Sequence, residues 1–253
     1  MFRARIGRMS SASLIVLAGA FAGGFVSGLT GFGTGMTAMP IWLLGVGPML
    51  AAPLVVACSL VAQVQTLPAI WHAIDYRRCA PFVLGGLAGV PFGAYVLPYI
   101  PIQAFKAGVG ALLVGYCAFN LASGMRWRVL GGGRVADTLI GLGGGILGGL
   151  AGMSGPLPTI WAGLRGWDKD TKRAVFQAFN TAILSFALVA QGFTGLLTAE
   201  LGHFVLVALP GTILGAWLGR RLYGRLDGAK FERIVLTVLM LSGFLMLLGA
   251  AFA

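Results

Sequence analysis

The sequence predicts an all-α polytopic membrane protein made of two homologous repeats, each opening with a helix broken by Gly and Pro. Three observations predict this fold class. First, 58% of the 253 residues are hydrophobic and 10% are charged, against about 25% charged in a soluble domain. Second, the chain repeats itself. Gly23-Gly24-Phe25-Val26-Ser27-Gly28-Leu29-Thr30-Gly31 returns at 144–152 with five of nine residues identical, at an offset of 121. A block at 82–95 returns at 204–217 with seven of fourteen identical, at an offset of 122. Third, apolar segments recur at close to the ~20 residues that a helix needs to cross about 30 Å of hydrocarbon.

The division that follows is a first repeat over 1–121, a basic linker over 122–137 and a second repeat over 138–253. At the N-terminus, Arg3, Arg5 and Arg8 precede an apolar run, and Ala18-Gly19-Ala20 resembles a signal-peptidase site. The repeat begins three residues later, however, and the second half has a matching apolar lead-in at 138–143. The segment is therefore read as part of the fold.

Six ordinary spans are expected at 49–70, 82–97, 105–121, 174–192, 201–219 and 234–253. Segments 14–44 and 135–164 differ. Each is broken in the middle, the first at Thr30-Gly31-Phe32-Gly33-Thr34-Gly35, the second between Gly152 and Pro158. Pro156 and Pro158 lack backbone donors and clash with a preceding turn, and Gly weakens a helix further. Each segment is either a kinked span or two short helices folded as a hairpin.

Charge counting bears on that choice. If each broken segment enters and leaves on one side, loops 71–81, 122–137, 164–173 and 220–233 share a face. That face collects 14 of the 18 Lys and Arg residues, as cytoplasmic loops do. The repeats are then inverted relative to each other. Single crossings would instead put nine basic residues outside. An asymmetric topology, with only the first segment crossing and residues 1–10 cytoplasmic, also fits the charges, so the side of the N-terminus stays open.

The net charge of +11 does not indicate nucleic-acid binding, because the basic residues form short clusters between apolar spans rather than a continuous basic domain. Cys58, Cys79 and Cys117 form no disulfide framework, and no metal-ligand spacing is present. No cofactor is expected. Intramembrane catalysis would need a nucleophile with a base, or metal ligands, inside the spans. His72 and His203 fall at span ends and no acidic residue lies deep, so the chain does not read as an enzyme.

The breaks are the candidate site. Interrupted helices survive in lipid where they line a cavity, and paired interruptions in two repeats point to a transport site. A restarting helix offers free N–H groups and a positive dipole end that suit an anion. Thr30, Gly31, Gly33, Thr34 and Gly35 in the first break, and Gly152, Ser154 and Gly155 in the second, are the candidate binding residues. The helices that follow carry neutral polar stripes, with Ser59, Gln63 and Thr66 on one face of the helix in the first half and Gln177, Asn180, Thr181 and Ser185 on one face of the helix in the second. Ser59, Gln63, Asn180 and Thr181 join the candidate site. Ser59 and Asn180 correspond at the repeat offset. Any one of these groups could instead serve interhelical hydrogen bonding, worth about 0.6 kcal/mol on average.

The motif Gly-Phe-Val-Ser-Gly-Leu-Thr-Gly-Phe-Gly-Thr-Gly followed by Pro40, repeated in degraded form at 144–158, resembles the TauE/SafE family of sulfite and organosulfonate exporters. The resemblance covers nearly the whole chain. It implies a bacterial inner-membrane permease for a small anion such as sulfite, a sulfonate or a short carboxylate, working in the lipid bilayer; whether the chain forms a homo-oligomer is left open by the sequence. Gly33-Thr34-Gly35 stands where the family often has a denser Gly run, and Ser154-Gly155-Pro156 departs further. A channel for a small solute is the alternative with the same half-helix architecture.

Overall fold

The computed structural model describes residues 2–69, 72, 74–123, 131–167, 169–223 and 228–251. Part of the basic linker, residues 124–130, lies outside the described residues. The elements are helices: α1 (Phe2–Thr30), α2 (Thr34–Trp42), α3 (Pro48–Thr66), α4 (Tyr76–Val96), α5 (Ile102–Ser123), α6 (Gly133–Ala151), α7 (Pro156–Leu164), α8 (Lys169–Phe193), α9 (Ala199–Tyr223) and α10 (Gly228–Ala251). No strand occurs among the described residues. A long helix, a nine-residue helix and three long helices follow one another twice. Among the described residues, six helical segments are long and apolar enough to cross a membrane.

Both broken segments fold back as hairpins. Along the first, α2 returns beside α1. A Cβ on Gly23 would stand 3.0 Å from the Thr34 carbonyl, and one on Gly19 would meet the Trp42 ring. The Trp42 indole N–H donates to the Val16 carbonyl at 2.9 Å. In the second, α7 returns beside α6, and the Trp161 indole donates to Asp137 Oδ1 at 2.7 Å. A tryptophan at the end of each return arm thus ties it to the incoming helix.

The break boundaries are narrower than the sequence reading gave. The first break is 31–33, because Thr34 already begins α2. Pro156 and Pro158 lie inside the first turn of α7, where a missing N–H costs no intrahelical bond. The span expected at 82–97 begins earlier, at Tyr76. Asp75 caps it, its side chain accepting from the N–H groups of Arg77 and Arg78.

The repeated glycines are packing surfaces between the two halves. A Cβ on Gly85, Gly89 or Gly93 of α4 would stand 2.0, 2.3 or 2.2 Å from the carbonyl oxygens of Thr138, Leu142 and Ile146 on α6. In return, Gly141, Gly145 and Gly149 abut Phe82, Gly86 and Val90 at 2.2, 2.1 and 2.3 Å. The two numberings rise together, so α4 and α6 run parallel. The same interlock joins α9 to α1, where Gly215 and Gly219 abut the carbonyls of Phe21 and Phe25, and Gly24 and Gly28 abut those of Thr212 and Ala216. No larger side chain fits where backbones approach this closely, which is the means of association open to helices surrounded by lipid. Aromatic packing completes the α4–α8 contact, with the Phe82 and Phe179 rings edge-on at 6.3 Å.

Candidate functional site

The tips of the two hairpins meet. A Cβ on Gly35 would lie 2.9 Å from the Gly152 carbonyl oxygen, and one on Gly155 would lie 3.0 Å from the Phe32 ring. Positive φ angles of 82° at Gly31, 98° at Gly33 and 66° at Gly152 turn the chain at these tips, a conformation that glycine adopts without Cβ strain. Between the tips is a cavity lined by Phe32, Gly33, Thr34, Gly35, Met36, Ser59, Gln63, Gly152, Met153, Ser154, Gly155, Pro156, Asn180 and Leu184. The room open to the centre of a water molecule is about 20 Å³, enough for one or two waters. The lining holds no charged side chain.

Nine of the twelve sequence-predicted residues line this space: Gly33, Thr34, Gly35, Ser59, Gln63, Gly152, Ser154, Gly155 and Asn180. Thr30, Gly31 and Thr181 do not. The Thr30 hydroxyl is within donating distance of the Phe32 carbonyl at 2.5 Å and the Val26 carbonyl at 2.9 Å, and the Thr181 hydroxyl donates to the Gln177 carbonyl at 2.7 Å. Gly31 serves indirectly, its carbonyl accepting from Gln63 Nε2 at 3.1 Å. Gln177 and Thr66 bond to each other, Nε2 donating to Oγ1, and so join α8 to α3. Ser185 is exposed.

The sequence reading missed Phe32, Met36, Met153, Pro156 and Leu184 in the lining. Leu184 could have been found, because it stands 121 residues after Gln63. It puts an apolar side chain where the first half has an amide.

Helix ends supply the polarity. The first intrahelical bond of α2 runs from the Thr37 N–H to the Gly33 carbonyl, 3.1 Å. The N–H groups of Thr34, Gly35 and Met36 precede it and are the unmatched donors of a helix start. In α7 the first bond is Thr159 N–H to Gly155 O, 3.0 Å. Before it, Pro156 and Pro158 have no N–H, which leaves Leu157 as the first-turn donor. The first tip therefore brings more donors than the second. Both positive dipole ends point to the same place.

Two side chains fix the tips to the following helices. Ser154 Oγ donates to Asn180 Oδ1 at 2.7 Å, holding the second tip to α8. Gln63 does the same from α3 to the first tip. Thr34 Oγ1 and Gln63 Oε1 are buried with no hydrogen-bond partner. Native proteins rarely leave such groups unmatched, and both belong to residues lining the cavity.

A family model described as sulfite exporter TauE/SafE matches residues 15–246. The chain belongs to the TauE/SafE sulfite exporter family. Members of this family are transporters, not enzymes, and with six membrane-length apolar helices the chain is a multi-pass membrane protein. It is 28% identical over 236 residues to the probable sulfite/organosulfonate exporter TauE of Cupriavidus necator, an alignment covering 90% of this chain and 91% of that protein. No solved structure matches the chain.

Proposed function

We propose that this protein is a bacterial inner-membrane transporter that carries a small oxyanion, such as sulfite, a sulfonate or a short carboxylate, through the cavity between the two hairpin tips. The observation that carries the reading is the convergence of the α2 and α7 N-termini on one neutral cavity. Backbone N–H groups and dipole ends there oppose a negative charge without a buried cation. A buried cation would have to be desolvated and left unpaired whenever the site emptied. The relative's printed name, a sulfite/organosulfonate exporter, agrees with this substrate class.

Alternating exposure of the site is part of the proposal, with the halves over 1–121 and 138–253 acting as inverted repeats. Helix register supports inversion. Ser59 and Asn180 line the same cavity, while Thr66 meets Gln177, so α3 numbering rises as α8 numbering falls. The repeat-equivalent helices α3 and α8 thus run in opposite directions, as inversion requires. The cavity has room for only one or two waters in this conformation, so an oxyanion enters when the tips separate. In this arrangement the basic segments 71–81, 122–137, 164–173 and 220–233, which include helix ends, are cytoplasmic.

The experiment is sulfite counterflow in proteoliposomes. Saturable flux accelerated by sulfite on the opposite side is the expected result. Flux that neither saturates nor responds to trans sulfite would make the protein a channel, and no flux of sulfite, sulfonates or carboxylates would end the reading.

A further inference from the structure

Gln63, which lines the cavity, carries an unpartnered acceptor that a bare anion cannot use. Gln63 donates its Nε2 amide to the Gly31 carbonyl at 3.1 Å. That bond fixes the amide orientation, because a flipped amide would set two oxygens against each other. Oε1 is left buried and without a partner in a side chain that is 2% exposed. An amide oxygen accepts and never donates. Opposite it in kind is Thr34, 1% exposed, whose hydroxyl also has no partner. The Thr34, Gly35 and Met36 N–H groups at the start of α2 are further donors. The lining therefore offers several donors and one unpartnered amide acceptor, the other lining amide oxygen, Asn180 Oδ1, already accepting from Ser154 Oγ. Leu184, at the repeat-equivalent position, has no polar atom, so the second half supplies no acceptor there.

A fully deprotonated oxyanion would match the donors and leave Gln63 Oε1 facing lone pairs. A monoanion that also carries an O–H or N–H satisfies both kinds of group at once. We propose that the cavity selects monoanions bearing a hydrogen-bond donor beside the negative group, such as the singly protonated form of sulfite or a sulfonate with an amino or hydroxyl substituent, and that Gln63 Oε1 accepts from that donor. This rests on the cavity being the anion site. The Gly31 carbonyl is then a positioning group, turning the amide so that its oxygen is the atom presented.

The test compares two monoanions of nearly equal size and charge. Sulfamate carries an N–H donor where methanesulfonate carries a methyl group. Binding of each to the purified full-length protein is measured by isothermal titration, with sulfite as reference. Sulfamate is expected to bind tighter by about tenfold or more, since a site with a buried polar group rejects an analogue that leaves it unpaired. In Gln63→Met, which keeps side-chain length but removes the amide, the preference is expected to shrink to within about twofold.

Equal binding of the two ligands to the wild-type protein would overturn this inference and leave the anion site standing. That comparison needs no variant, so it decides even if Gln63→Met fails to fold. A sulfamate preference that survives in Gln63→Met would also overturn it, because the acceptor would then lie elsewhere. Absence of binding by sulfamate, methanesulfonate and sulfite alike would instead remove the site reading on which the inference rests.

Discussion

Gly35 of the first hairpin faces the Gly152 carbonyl of the second so closely that a Cβ on Gly35 would stand 2.9 Å from that oxygen. This contact joins the two halves at the candidate site, and it leaves no space for a side chain. Gly35→Val is expected to abolish sulfite counterflow in proteoliposomes while the protein still inserts and purifies. Gly47→Val is the control, since nothing lies within 4 Å of a Cβ there, and it should transport normally. Equal activity in both variants would separate the hairpin contact from transport.

The Trp161–Asp137 bond should couple energetically. Asp137 is 7% exposed, and loss of its indole donor leaves a buried carboxylate short of a partner. Trp161→Phe and Asp137→Ala are each expected to lower stability by about 1–3 kcal/mol. The double variant should lose less than their sum, with a coupling of about 0.5–3 kcal/mol read from a double-mutant cycle. Strict additivity would mean that the bond does not hold the return arm.

Glycine positions should divide sharply by what they face. At Gly145 a Cβ would stand 2.1 Å from the Gly86 carbonyl. Gly145→Leu must push two helix backbones apart, costing more than the ~1–3 kcal/mol of ordinary core overpacking, and is expected to yield aggregated protein on size-exclusion chromatography. Gly108 has nothing within 4 Å of its Cβ position and is exposed, so Gly108→Leu should elute as the wild type does. Monodisperse Gly145→Leu would contradict the interlock of α4 with α6.

Orientation can be read by thiol labelling. Cys58, Cys79 and Cys117 are all buried, so native thiols give little background. Leu197→Cys, in the turn between α8 and α9, should react with a membrane-impermeant maleimide on intact cells. Gly131→Cys, just before α6, should react after permeabilisation. The reverse pattern would invert the proposed topology.

The fold was readable largely because lipid imposes so few solutions. The unbroken spans, the two interruptions and the doubled pattern all follow from hydropathy and from glycines at a fixed offset. The choice between a kinked span and a hairpin was not readable from the breaks themselves. Trp42 and Trp161 decide it, and each is one aromatic among apolar neighbours until its partner at Val16 or Asp137 is known. Gln63, Ser59 and Asn180 were legible as candidates because polar side chains on one face of a membrane helix need a partner. Thr30 and Thr181 looked like cavity donors in sequence, but each gives its hydroxyl to nearby backbone carbonyls, those of Phe32 and Val26 for Thr30 and that of Gln177 for Thr181, a choice that periodicity cannot reveal. Phe32 and Met153 were hidden for the opposite reason, since apolar residues in an apolar chain give no signal.

The central claim is that the two hairpin tips together hold a small anion through backbone donors. Its most direct test is the melting temperature of the purified protein as sulfite is added, for the wild type and for Gly35→Val. Ligand at 100 times its Kd stabilises the native state by about 2.7 kcal/mol. The wild type should therefore melt several degrees higher, and Gly35→Val should not shift. An equal shift in both proteins, or none in the wild type across sulfite, sulfonates and short carboxylates, would contradict the account.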